Sequence, residues 1–209
     1  MTPELSALIS IGLVQVVAVI SPGPSFLITA RTAVAKSRGD GIKVALGLAA
    51  GTVVWSSLAL LGLSAVFHAL PMLFTAMKIV GALFLLWIAW QIFRHAAEPV
   101  DLGGNGEDHG GNPILKGFTT QMSNPKPAVF FGSIFVAMLP AAVPLWLTAA
   151  LIAVVTFNEF WWYTIVALFF GTVPVRRFYL RAKAWIDRAT GLFLGALGLR
   201  LLWAVREAA

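Results

Sequence analysis

Apolar residues fill this chain in long blocks, and the charged residues are crowded into the short gaps between them. Six blocks can be read as helical spans: about Leu5 to Ala30, Ile42 to Phe67, Met72 to Phe93, Ile114 to Leu139, Pro144 to Phe170 and Trp185 to Val205. Each matches or exceeds the ~20 residues a helix needs to cross the hydrocarbon core of a bilayer. Two of the six cannot be continuous. Ser21-Pro22-Gly23-Pro24 interrupts the first block, and Asn124-Pro125-Lys126-Pro127 interrupts the fourth. Proline lacks the amide hydrogen and its ring clashes with the preceding turn, so each run must break its helix. An unpaired backbone group in hydrocarbon costs several kcal/mol, so such breaks persist only where they are packed in protein or line a polar cavity.

Composition agrees with a membrane chain. Of 209 residues, 59% are hydrophobic and 11% charged, too little polar surface for a soluble domain of this length. The excess of 15 Lys+Arg over 9 Asp+Glu could suggest nucleic acid, but the basic residues sit between the blocks rather than on one amphipathic face. That is the pattern of membrane topology, and no nucleic-acid partner is expected. Cysteine is absent, which removes disulfides, thiol catalysis and Cys-ligated metals. With no basic leader, Glu4 in its place and no clear cleavage site, the first block is expected to stay in the mature protein.

The links alternate in charge. Arg31, Lys36, Arg38 and Lys43 follow the first span, Arg94 and Lys116 bracket the link after the third, and Arg176, Arg177, Arg181, Lys183 and Arg188 gather between the fifth and sixth. The links at 68–71 and 140–143 carry no Lys or Arg. The positive-inside rule therefore puts the basic links in the cytoplasm and both termini outside. Trp87, Trp90, Trp146, Trp185 and Trp203 fall near span ends, as interfacial belts require, while Trp55, Trp161 and Trp162 lie deeper and are expected between helices or at a site.

Glycine-rich residues 95–113 read as a flexible cytoplasmic linker between a first unit, 1–94, and a second, 114–209. Asp101, Asn105 and Gly106 only faintly echo a calcium loop, since Gly103 and Asn112 stand where ligands belong, and no metal is expected. Three spans per half turn the second half upside down relative to the first. The expected fold is thus an all-α membrane protein of six transmembrane helices in two inverted three-helix repeats, with helices one and four broken at the proline motifs. Paired broken helices in inverted repeats point to the binding site of a secondary transporter.

A broken helix offers N–H groups to a carboxylate at one end and carbonyls to a cation at the other. A pair of facing breaks therefore suits an amino acid or similar small zwitterion, so Ser21, Pro22, Gly23, Pro24, Asn124, Pro125 and Lys126 are the candidate substrate-binding residues. Glu159, beside Asn158 and between Phe157 and Trp161, is the conspicuous ionisable group. A carboxylate at a helix centre costs roughly 2.5–3.5 kcal/mol on the insertion scale, so it must be paired, hydrated or protonated. It is the candidate proton carrier, with Lys126 as the alternative ion-pair partner. Asn158, Lys78 and Trp162 are supporting candidates. His68, His95 and His109 match no ligand spacing, and no nucleophile elbow, P-loop or dinucleotide fingerprint occurs in a suitable setting, so neither an enzyme nor a cofactor is expected.

These residues resemble the lysine-exporter superfamily, LysE/RhtB, especially its homoserine/threonine-resistance branch. The resemblance spans nearly the whole chain. It rests on Ser-Pro-Gly-Pro at 21–24 with Arg38, Gly39, Gly41, Gly47 and Gly51, then Lys78 and Gly81, then Asn124-Pro125-Lys126 with Phe130 and Phe131, and Trp162-Tyr163, Arg188, Gly191 and Gly198. It implies a bacterial inner-membrane exporter of amino acids or close derivatives, working by proton antiport and often dimeric. The chain departs from the family's pattern after Phe131, and Glu159 matches no family motif, so its role rests on physics alone. Export of an inorganic cation, or a non-transporting membrane scaffold whose broken helices hold a partner, are the competing readings.

Overall fold

The structure, a computed structural model, describes residues 2–69, 71–99, 111–140, 143–170 and 172–207. Among them the chain forms eight α-helices and no strand. These are α1 (Pro3–Ile20), α2 (Pro24–Ala35), α3 (Arg38–Ala69), α4 (Pro71–Arg94), α5 (Pro113–Ser123), α6 (Pro125–Met138), α7 (Leu145–Phe169) and α8 (Val173–Glu207). Proline sets the starts. It occupies the first turn of α1, α2, α5 and α6, where its missing N–H is no loss and its fixed φ suits a helix.

Proline also sets the stops. Pro22 and Pro125 each push the preceding residue out of helical conformation. Ser21 closes α1 at φ −64°, ψ 124°, and Asn124 closes α5 at φ −82°, ψ 116°. Both breaks are therefore made by the same local chemistry. α6 restarts at once because the Asn124 side chain caps it, accepting from the Lys126 N–H at 3.0 Å.

Four helices are long and apolar enough to cross a membrane among the described residues: Pro3–Ile20, Arg38–Leu63, Leu145–Phe169 and Pro174–Arg206. Pro125–Met138 is a shorter apolar helix. Large apolar side chains such as Leu13, Leu61, Val80, Trp87, Trp90 and Trp203 stand exposed on the outside of the bundle, as a lipid-facing surface requires. Trp161 is exposed with them, contrary to the expectation that it packs between helices. Trp55 and Trp162 do pack against the cores.

One boundary expected from the sequence is wrong by a full three turns. The basic stretch 176–184 is no link but the first part of α8. Its only proline after the start, Pro174, sits in the first turn, so nothing interrupts the helix, and the stretch turns Tyr179 and Lys183 inward while Arg177 and Arg181 stay exposed. The 101–110 stretch, including the faint calcium echo, lies outside the described residues.

Helices in lipid pack through close fit rather than hydrophobic drive, so small residues decide who touches whom. α5 lies directly on α3: a Cβ on Gly117 would sit 2.1 Å from the Val44 carbonyl oxygen, and one on Gly51 would sit 2.7 Å from Gln121 Cβ. α4 lies against α8 in the same way, with a Cβ on Gly191 falling 2.8 Å from the Ala89 oxygen. Two apolar cores result. One joins Ile11, Phe131, Phe135, Leu147 and Leu151; the other joins Phe26, Val44, Leu48, Val166 and Phe170. Along α7 the first core ends at Val155 and the second begins at Tyr163. Glu159 stands between them.

Candidate functional site

The layer between the two cores is polar and buried. Glu159 is 5% exposed, and its carboxylate accepts from Gln121 Nε2 at 2.9 Å and from Gln15 Nε2 at 3.1 Å. Gln121 comes from the last turn of α5 and Gln15 from the turn before the last of α1, each ahead of its break. Gln121 is the hub. Its Nε2 also reaches Thr52 Oγ1 at 2.9 Å on α3, and its Oε1 accepts from Ser25 Oγ at 2.8 Å on α2. Ser25 in turn accepts from Asn124 Nδ2 at 3.2 Å, and the Gln121 carbonyl accepts from Trp55 Nε1 at 3.1 Å. Buried polar networks hold one arrangement when all members are satisfied, and this one ties both breaks to one carboxylate.

One member is not satisfied. Gln15 Nε2 donates to two acceptors, Glu159 and the Val155 carbonyl at 3.3 Å, which fixes the orientation of the amide. Its Oε1 is left buried with no donor among the described residues. A buried acceptor without a partner calls for an explanation. Here it borders a cavity of about 40 Å³ lined by Gln15, Ser25, Asn124, Lys126, Phe130, Glu159 and Tyr163. That volume admits a few water molecules and no amino acid.

Lys126 does not pair with Glu159. Its Nζ turns to the C-terminal end of α1, donating to the Ala18 oxygen at 2.9 Å and the Ser21 oxygen at 3.2 Å. Those carbonyls lost their helical partners at the break, and a cation there also meets the negative end of the helix dipole. Tyr179 of α8 donates to the next freed carbonyl, Ile20, at 2.8 Å. The second break therefore supplies the cap for the first.

The remaining expected residues divide. Ser21, Pro22 and Gly23 do not line the Glu159 cavity; they wall a separate cleft of about 410 Å³. Pro24 lies with Asn124 and Pro125 on a third space of about 360 Å³. Asn158 points from α7 to α1, donating to the Gly12 carbonyl at 3.2 Å, and is a helix-packing contact. Trp162 packs on the second core, and Lys78 lines none of these three spaces. Sequence reasoning missed Gln15, Ser25, Thr52, Gln121 and Tyr163. A signal existed for the two glutamines, which are full amides inside apolar helices where a polar group needs a partner. Among the described residues no three His, Asp or Glu side chains gather to hold a metal ion.

Comparison with known proteins bears on this arrangement. The family model described as "LysE type translocator" matches residues 16–204, a stretch that contains both breaks and Glu159. The chain is 32% identical to a threonine efflux protein of Salmonella typhi over 197 residues, covering 92% of this chain and 96% of that one. It is 31% identical to the threonine efflux protein of Escherichia coli K12 over 207 residues, covering 95% and 98%. A leucine efflux protein of Enterobacter sp. is 27% identical over 180 residues, 86% of this chain and 85% of that one. No solved structure matches it.

Proposed function

The chain belongs to the LysE type translocator family, and from that footing we propose that it exports a neutral amino acid or close derivative across the bacterial inner membrane. The observation that carries this reading is the small cavity at Glu159, lined by both Glu159 and Gln15, whose buried Oε1 has no donor among the described residues. An ammonium group supplies the missing donor and the opposite charge together. The substrate carboxylate then falls toward Lys126 and Asn124, which line the same cavity. The efflux proteins to which the chain is similar are named for threonine and leucine, both zwitterions of this kind.

Glu159 binds either the substrate ammonium or a proton, and that exclusion couples export to proton import. Because the cavity is too small for an amino acid, it must open to each side in turn, and the two breaks are the places where the helices can bend. The halves are an inverted repeat with both termini periplasmic. Helix packing supports the repeat: exchanging α1–α4 with α5–α8 maps α3 on α5 onto α7 on α1, α3 on α6 onto α7 on α2, and α2 on α5 onto α6 on α1. The contacts of α3 with α7 and of α4 with α8 map onto themselves. Among the described residues α2 on α3, α4 on α6 and α3 on α4 have no counterpart of similar extent, so the halves have diverged.

Proteoliposomes loaded with a panel of amino acids provide the test. Efflux of threonine or another neutral amino acid, accelerated by an inward proton gradient, is the expected result. Folded protein that moves none of the panel under any gradient overturns the reading.

A further inference from the structure

The 410 Å³ cleft shares no lining residue with the Glu159 cavity. Residues 21–23 of the first break form one wall of the cleft, and that wall is tied to Lys126 of the cavity. On the cavity side, Lys126 holds this wall through the Ala18 and Ser21 carbonyls. On the cleft side, the Ser21 hydroxyl donates to Asp187 Oδ1 at 2.9 Å. Asp187 is 4% exposed on α8, one turn beyond Lys183, and lies 3.1 Å from that ammonium through Oδ2.

Lys183 cannot serve Asp187 fully. Its Nζ also donates to the His95, Ala96 and Glu98 carbonyls at 2.9, 3.0 and 2.9 Å, where α4 ends. An ammonium has three N–H groups, and here it meets four acceptors. Four acceptors divide three N–H groups, so Asp187 does not hold this ammonium to itself. A buried carboxylate with one hydroxyl donor and a shared cation retains lone pairs for a further charged donor. It faces a space of amino-acid size, which also receives Arg31 and the uncapped start of α2 at Gly23, groups suited to a carboxylate.

The geometry points to a second binding site in this cleft, a reception site where an amino-acid zwitterion places its ammonium on Asp187 before passing the first break. A ligand there competes with Ser21 for Asp187 and so loosens the wall it must cross. The inference rests on the export reading for its ligand class, but its site, residues and readout are separate from Glu159.

The protein's lack of cysteine makes the test direct. Gln91→Cys places a thiol on the cleft wall, and Glu98→Cys is the alternative should the first variant not fold. The thiol is labelled with an impermeant maleimide in inside-out vesicles, with and without L-threonine, ethylamine or acetate. L-threonine slows labelling and the two half-ligands protect far less. Asp187→Asn keeps the acceptor for Ser21 and leaves Lys183 on its three carbonyls, yet weakens protection about tenfold in apparent affinity. Glu159→Gln leaves protection intact. Threonine export without protection at either thiol overturns the site, as does protection that survives Asp187→Asn or vanishes in Glu159→Gln. If proteoliposomes export nothing, the export reading fails first and takes this site's ligand with it.

Discussion

The close approach of α3 and α5 is what puts Gln121 on Glu159, so Gly117→Ala tests the geometry of the site without touching a polar group. A methyl at Gly117 would lie 2.1 Å from the Val44 oxygen, 3.0 Å from its carbonyl carbon and 3.1 Å from Leu48 N, all backbone atoms that cannot rotate away. Carbon and carbonyl oxygen come to rest at about 3.3 Å or more, so α5 must retreat by roughly 1.2 Å. Gln121 lies one turn further along the same face of α5. Its 2.9 Å bond to Thr52 spans the opened gap, and its 2.9 Å bond to Glu159 is drawn the same way. A shift of that size takes such bonds beyond useful hydrogen-bond length. Overpacking costs about 1–3 kcal/mol, and a hydrogen bond to a charged group is worth about 1.5–3 kcal/mol. The gain in helix propensity returns at most about 1 kcal/mol. A net loss of about 1.5–5 kcal/mol is expected, read as a lower melting temperature in detergent together with strongly reduced efflux. Gly132→Ala is the control, since nothing lies within 4 Å of a Cβ there. It should melt at or slightly above the parent temperature and export normally. If Gly117→Ala melts and exports like Gly132→Ala, then the α3–α5 contact does not position Gln121.

Three further outcomes follow from the breaks. Asn124→Ala removes the cap of α6 and the donor to Ser25, and should lower the melting temperature by an amount corresponding to about 1 kcal/mol or more; Asn124→Ser, which can still cap, should recover part of it. Lys126→Met strips the ammonium from the Ala18 and Ser21 carbonyls, each charge-assisted bond being worth about 1.5–3 kcal/mol before desolvation is offset. Limited proteolysis should then cut at residues 20–24 faster than in the parent, whereas a variant as resistant as the parent would mean those carbonyls need no cap. For topology, Thr2→Cys should react with an impermeant maleimide on intact cells and Lys36→Cys only after permeabilisation; the opposite pattern would invert the proposed orientation.

How far the sequence revealed this molecule depended on the range of the chemistry involved. The breaks at 21–24 and 124–127 are dictated by Pro22 and Pro125 acting on their own neighbours, so they could be read directly, and both helices stop where expected. The long apolar helices were legible for the same local reason. What Lys126 does was not, because nothing near it in sequence says that its ammonium meets carbonyls 105 and 108 residues earlier. Gln15 and Gln121 converge on Glu159 only through the packing of α1 and α5 against α7 and α3, a tertiary fact. Asp187 was hidden for the same reason: it stands at the start of the sixth span among basic residues, and its hydroxyl partner Ser21 lies 166 residues earlier.

The central claim is that Glu159 holds the substrate's ammonium, and binding to the Glu159→Gln variant addresses it most directly. Gln keeps the shape and one acceptor but removes the charge. Titration of purified protein with the best-exported amino acid should give saturable binding for the parent. Removing one partner of a buried charge pair costs about 3–5 kcal/mol, so binding to the inner site in the variant should weaken at least about a hundredfold, with its melting temperature retained. A Glu159→Gln protein that binds at the inner site and exports as the parent does would contradict the account.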